Sequence, residues 1–156
     1  MSEDPNDANP ELLAPRFEAN VAPEAIRLAT SFQVLADKLP NPWDESTDYF
    51  VAFAAGLPAE TPLDPESFRR ALGIAARYTI DLAPADAKLI AVGAQASWGD
   101  DIAGGFRRLA AAMHAAVGEL SLAHARGDGV VRVRMWLFGR SADGTLVGLH
   151  SISTET

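Results

Sequence analysis

The 156-residue chain is 48% apolar and contains no cysteine, which excludes disulfides, thiolate metal sites and a thiol nucleophile. No apolar run approaches membrane-spanning length. The formal net charge of -8 argues against direct binding of a nucleic-acid backbone, which takes clustered Lys and Arg.

Met1 to Ala22 holds four acids by Glu11 and three prolines, and is expected to be a flexible acidic tail. It lacks a basic start followed by an apolar stretch, so a cytoplasmic location is the expectation. Residues 23–156 are expected to form a single domain, long enough to bury its own core. Pro23 opens a helix where a missing N–H costs least. Leu28, Phe32, Leu35 and Leu39 recur on one face, the expected core face, and Pro40 ends the run. Asn41 to Asp48 reads as a polar loop, and Tyr49-Phe50-Val51-Ala52-Phe53 as a short buried strand.

Asp64-Pro65-Glu66 is a helix start with a capping acid and a proline, introducing Phe68, Leu72 and Ala76. Tyr78 to Leu82 reads as a strand. Between Ala83 and Gln95 the pattern is open, since Lys88 to Val92 suits a strand or a helix. Asp100 or Asp101 is expected to cap the clearest helix, whose stripe is Ile102, Phe106, Leu109, Met113, Val117 and Leu120. Arg107, Arg108 and Glu119 fall off that stripe. Val130 to Phe138 then reads as a strand, Gly139 to Gly144 as its turn, and Thr145 to Ile152 as the returning strand, with Asp143-Gly144 as the turn signal. The fold class is α+β, with helices flanking a small, largely antiparallel sheet.

Catalytic signals are sparse. His114, His124 and His150 show no i, i+4 ligand spacing. There is no Gly-x-Ser-x-Gly elbow and no Gly-rich phosphate loop, and Gly104-Gly105 lies inside a helix, where glycine permits close packing. The expectation is a protein that is not an enzyme and carries no cofactor. Trp98 precedes the main helix as a core lid or an exposed anchor, two roles open to Trp43 as well. Asp44, Glu45 and Asp48 make an acidic loop beside Tyr49. A terminal strand would hold Thr156, with its hydroxyl and carboxylate, at a defined place.

Three of these segments, in order, resemble the nuclease A inhibitor family. The terminal hairpin from Phe138 through Glu155-Thr156 is similar to that family's glycine-flanked hairpin and Glu-Thr end. Glu45-Ser46-Thr47-Asp48-Tyr49 leading into Phe50 to Phe53 resembles its acidic loop and aromatic strand. Trp98, followed by acids and a helix with Phe106 and Leu109, is similar to its central tryptophan and following helix. The resemblance implies a three-layer α/β/α sandwich that plugs the active site of a sugar-nonspecific, Mg²⁺-dependent endonuclease. It implies a free monomer that touches neither nucleic acid nor membrane, with Thr156 and a loop carboxylate directed at the partner's metal. The partner-binding residues it implies are Glu45, Ser46, Asp48, Tyr49, Gln95, Trp98, Glu155 and Thr156. Aligned on Tyr49, Ser46 stands where the family has its metal-facing glutamate, with Glu45 one residue earlier. Ala96 stands at the family's glutamine, with Gln95 adjacent, and Ile152 replaces a basic residue. The alternative is a non-catalytic binding module on the same scaffold, using Trp43, Tyr49 or Trp136 in an aromatic pocket.

Overall fold

The computed structural model describes residues 15–18, 21–37, 39, 50–94 and 99–154. They form one six-stranded mixed sheet, mostly antiparallel, and four helices, an α+β fold. In chain order the elements are β1 (Arg16–Phe17), α1 (Pro23–Leu35), β2 (Val51–Ala55), α2 (Pro65–Leu72), β3 (Thr79–Pro84), α3 (Asp86–Gly93), α4 (Asp100–Val117), β4 (Ser121–Arg126), β5 (Arg132–Arg140) and β6 (Leu146–Thr154). The spatial order is β1-β2-β6-β5-β4-β3, and only the β1–β2 pair is parallel. No helix among the described residues is long and apolar enough to cross a membrane.

Strand alternation divides the core in two. Ala52, Ala54, Val147, Leu149, Met135, Leu137 and Leu122 face α1, α3 and α4. Phe53, Leu146, Trp136, Phe138, Ala123 and Ala125 face Phe68 and Leu72 of α2. Three helices therefore cover one side of the sheet and one short helix the other, the three-layer arrangement. On the α2 side, Phe68 meets Trp136 edge-on at 5.2 Å and Phe138 at 5.2 Å.

Several elements differ from the sequence reading. α1 stops at Leu35, with Ala36 as its C-cap, and its buried face is Ala25, Ala29, Phe32 and Ala36. Leu28 is only half-buried and Leu35 is 39% exposed. Ala25, Ala29 and Ala36 are buried in the same core as Ala52 and Ala54 of β2, so small residues rather than leucines fill much of the space between helix and sheet. Leu39, beyond the helix, fills a notch over Gly105, where an added Cβ would lie 2.7 Å from Leu39 Cδ2. Gly105 thus shows the expected close packing, whereas at Gly104 an added Cβ would meet only the Arg107 and Arg108 side-chain ends at 3.4 Å.

Gly99, not an aspartate, caps α4, and Asp100 and Asp101 occupy its first helical positions. Phe106, Leu109, Met113 and Val117 are buried as the stripe requires, while Leu120 is buried beyond the helix, after Gly118. The open stretch before it is α3, whose Leu89 and Val92 are buried while Ile90 is 71% exposed. α2 begins at Asp64 with a reciprocal capping box: Asp64 Oδ1 accepts from Ser67 N at 2.8 Å and Ser67 Oγ from Asp64 N at 2.9 Å. It ends at Gly73, φ 65°, so Ala76 lies outside it and is exposed. Within the segment read as tail, Arg16–Phe17 form β1, and Phe17 packs on the α1-side core.

The β5–β6 hairpin is displaced along the chain from the expected one, with β5 starting and ending two residues later than Val130–Phe138 and β6 reaching Thr154, and it has nine paired positions from Arg132↔Thr154 to Arg140↔Leu146. Gly139 belongs to β5, where Val117 packs against its bare Cα. The turn itself is cross-braced. Asp143 Oδ1 accepts from Thr145 N at 3.0 Å and from Ser141 Oγ at 2.5 Å. Arg140 donates to the carbonyls of Gly144, Thr61 and Pro58 at 3.1, 2.8 and 2.7 Å, tying the turn to the β2–α2 loop. At Gly144, φ 96°, any Cβ would overlap the Leu57 carbonyl.

Two predictions follow from this packing. Leu109 is fully buried, so Leu109→Ala should lower unfolding free energy by roughly 2–5 kcal/mol in denaturant titration. The Ser141 hydroxyl first, then the Thr145 N–H, hold the Asp143 carboxyl below its ordinary value. A depressed pKa stabilises the fold above the unfolded carboxyl pKa, and that contribution fades as pH falls through the folded one. Asp143→Asn should therefore melt below the parent at neutral pH, with the gap closing under acid conditions.

Candidate functional site

The ladder registers define two ends of the sheet. β3 begins at Thr79 opposite Arg126, where β4 finishes, and β5 begins at Arg132 opposite Thr154, the last residue of β6. These positions make the first end; β2 is shorter, and its Val51 lies opposite His150, which pairs with Trp136 at the middle of the β5–β6 ladder. Ala55, Leu146, Arg140, Ser121 and Pro84 make the second, which carries the braced Ser141–Thr145 turn.

α4 runs between them. Its C-terminal Val117 lies against Gly139 near the second end, and Gly105 in its second turn meets Leu39, which follows α1. The last turns of α1 are themselves at the start of β2, where Gln33 Oε1 accepts from Ala52 N at 2.7 Å. The N-terminus of α4 and Gly99 before it consequently point toward the first end. Phe50 follows the acidic loop, Gly99 follows the Trp98 segment, and Ser153 and Thr154 precede the final two residues. Ser153 and Thr154 lie at the first end, while Phe50 precedes a strand that starts at mid-ladder and Gly99 precedes a helix whose other end, Val117, is at the second end.

The residues singled out by sequence are themselves outside the described residues. This holds for Glu45, Ser46, Asp48, Tyr49, Gln95, Trp98, Glu155 and Thr156, and for Trp43. Trp136 is described and is core, 1% exposed beneath Phe68, so it lines no aromatic pocket. The histidines stand apart: His114 is exposed on α4, His124 half-buried on β4, and His150 buried edge-on to Phe53 at 6.4 Å. Among the described residues, no group of three His, Asp or Glu side chains is placed to hold a metal ion.

What the first end does carry is charged and aromatic. Arg126 Nη1 pairs with Asp81 Oδ2 at 2.5 Å, both side chains partly exposed. The Arg134 guanidinium lies 4.9 Å over the Trp136 ring, and that of Arg77 lies 4.9 Å over Tyr78. Arg69 on α2 fixes this corner by donating to the carbonyls of Ala75 and Tyr78 at 2.6 and 2.7 Å. Beside it an open cleft of about 350 Å³ is lined by Arg77, Tyr78, Thr79, Gly127, Asp128 and Val130. The described residues here thus include Arg77, Arg126, Arg132 and Arg134 against Asp81 and Asp128, so the acidic excess of the chain belongs to other residues.

Sequence reading missed β4 and the turn after it. The signal was available: Gly127-Asp128-Gly129 contains an Asp-Gly step like that of the terminal hairpin. Gly129 has φ 73°, and Val130 N donates to Gly127 O at 3.1 Å, closing the turn. The alanine-rich Ser121-Leu122-Ala123-His124-Ala125-Arg126 hid the strand, because its propensity for strands is weak. The chain matches no protein-family model and no curated protein.

Proposed function

We propose that this chain is a protein inhibitor of a sugar-nonspecific, Mg²⁺-dependent endonuclease, docking through the first end of its sheet. The observation that carries the reading is convergence. Phe50, Gly99 and Ser153 border the acidic loop, the Trp98 segment and Glu155-Thr156, and each lies on the side of its own element away from the braced second end: Phe50 before Val51 of β2, Gly99 before α4, whose Val117 is against Gly139, and Ser153 beside the last pair of β6. The α/β/α layering and the terminal hairpin also agree with what the resemblance implies. The formal charge of -8 favours approach to a basic substrate groove as a property of the whole molecule.

Mg²⁺ is a hard cation that takes oxygen ligands and keeps several waters. In the proposed complex the Thr156 hydroxyl or carboxylate meets the partner's metal or a water on it, and Glu45 with Ser46 serves in place of the family glutamate. Occupying that position displaces the scissile phosphate. Asp48 and Tyr49 frame the acidic loop, while Gln95 and Trp98 add contacts beside it. The chain supplies no catalytic group and contacts no nucleic acid.

The test is the position of Thr156. One appended residue would shift its carboxylate by about 3.3–3.6 Å, the reach of an extended residue, which is more than Mg²⁺–oxygen geometry tolerates. Wild-type protein should abolish plasmid digestion by a nonspecific Mg²⁺-dependent nuclease at stoichiometric concentration. A short C-terminal extension should impair this sharply while an equal N-terminal extension leaves it intact, and Glu45→Gln should weaken it. Full inhibition by the C-terminally extended protein would overturn the metal-directed mechanism.

A further inference from the structure

We propose that Asp128 is a site of spontaneous aspartate isomerisation, with Gly129 supplying the attacking nitrogen, and that the fold withholds the same reaction from the identical step Asp143-Gly144. This rests on the two turns alone and is independent of the inhibitor reading. In this chemistry the amide nitrogen that follows an aspartate attacks the side-chain Cγ. Its proton leaves with the departing oxygen as water, and a succinimide ring closes. Water then adds to either ring carbonyl. Addition at Cγ restores aspartate, whereas addition at the main-chain carbonyl breaks the C–N bond there and leaves the chain running through Cβ and Cγ, an isoaspartate. One water leaves and one enters, so water is the only co-reactant. A glycine in the second position favours closure, because no Cβ hinders the approach of its nitrogen.

The two Asp-Gly steps have opposite surroundings. Asp128 and Gly129 are exposed at the tip of the β4–β5 turn, and among the described residues no hydrogen bond or ion pair holds the Asp128 carboxylate. Gly129, φ 73°, has open space where a Cβ would sit, which leaves room for the ring. The backbone bond from Val130 N to Gly127 O closes this turn, so opening it costs little more than one hydrogen bond. At the other step Asp143 Oδ1 accepts from Thr145 N and Ser141 Oγ, and the attacking nitrogen is itself engaged, Gly144 N donating to Ser141 O at 2.9 Å. Gly144 is buried against the Leu57 carbonyl, where an extra backbone methylene has no room. The hydrogen bonds that hold the Asp143 carboxyl in its ionised form also make its Cγ the poorer electrophile. Isomerisation at Asp128 adds one methylene to the backbone at the tip of the turn and shifts the carboxylate within the cleft that Asp128 lines. The β4–β5 pairs from Ala125↔Arg134 inward are untouched, so the domain stays folded.

The experiment incubates the folded chain in heavy-oxygen water at neutral pH and physiological temperature. Peptide mapping by mass spectrometry then locates the label, and an isoaspartyl methyltransferase with S-adenosylmethionine counts the isoaspartate. Each passage through the ring leaves one solvent oxygen at the reacting residue. Label and isoaspartate should accumulate at Asp128 roughly tenfold or more faster than at Asp143, because several hydrogen bonds must break first at the braced turn. Ser141→Ala should raise the rate at Asp143 and leave that at Asp128 unchanged. Asp128→Glu, whose larger ring closes slowly, should remove the signal at that position. In denaturant the two steps should react at similar rates, since the fold and not the dipeptide separates them. No label at Asp128 in the folded chain, equal label at both steps, or a difference that persists undiminished in denaturant would each overturn the proposal.

Discussion

The nine-pair ladder between β5 and β6 is the constraint on which the rest of the domain depends. These are the two central strands, covered on both faces, and their side chains alternate between the two cores. A slip of one residue would send Trp136 and Phe138 toward α4 and Met135 and Leu137 toward α2. The braced turn at Ser141–Thr145 prevents that slip, since Asp143 and Arg140 fix the loop against its own strands and against the β2–α2 connection. Fixing the register at that turn also fixes, nine residues later, where β6 delivers Thr154. Stability at one end of the sheet and geometry at the other are the same fact.

The two faces of this sheet are packed by different means. On the α2 side, large rings interlock: Phe53, Phe68, Trp136 and Phe138 supply most of the volume, and the Arg134 guanidinium closes over Trp136 at the margin. On the other side small residues let helices come near. Alanines join α1 to β2, and Gly105 admits Leu39 where α1 hands over to the following segment. The first arrangement resists deformation, and the second sets the direction in which α1 and α4 point.

Much of this was legible in the residues. The α4 stripe, the Asp64-Pro65 helix start and the terminal hairpin were read correctly because each has strong periodicity or specific turn chemistry. The α1 face was read in part: Phe32 and Leu39 are buried, but Leu28 and Leu35 give way to Ala25, Ala29 and Ala36, because leucine outweighs alanine in an apolar count whereas close approach to a sheet rewards the smaller side chain. β4 was missed because Ala123, His124 and Ala125 make a poor strand in isolation; tertiary pairing with β3 and β5 decides it. β1 was concealed in an acidic, proline-bearing stretch, of whose described residues Arg16 and Phe17 pair with β2. The site was legible as three separate motifs but not as a place. The strand registers and the seating of α4 on the sheet relate the bordering positions Phe50, Gly99 and Ser153, and no local pattern in the residues does.

A docking surface at one end of a rigid sheet has a signature in backbone protection. Hydrogen–deuterium exchange of the chain, alone and with a nonspecific Mg²⁺-dependent nuclease, measures it directly. The account predicts slower exchange in peptides covering the end of β6, with the Ser141–Thr145 turn at the opposite end unchanged. Protection confined to that turn or to the outer faces of α1 and α3, or none anywhere, would contradict it.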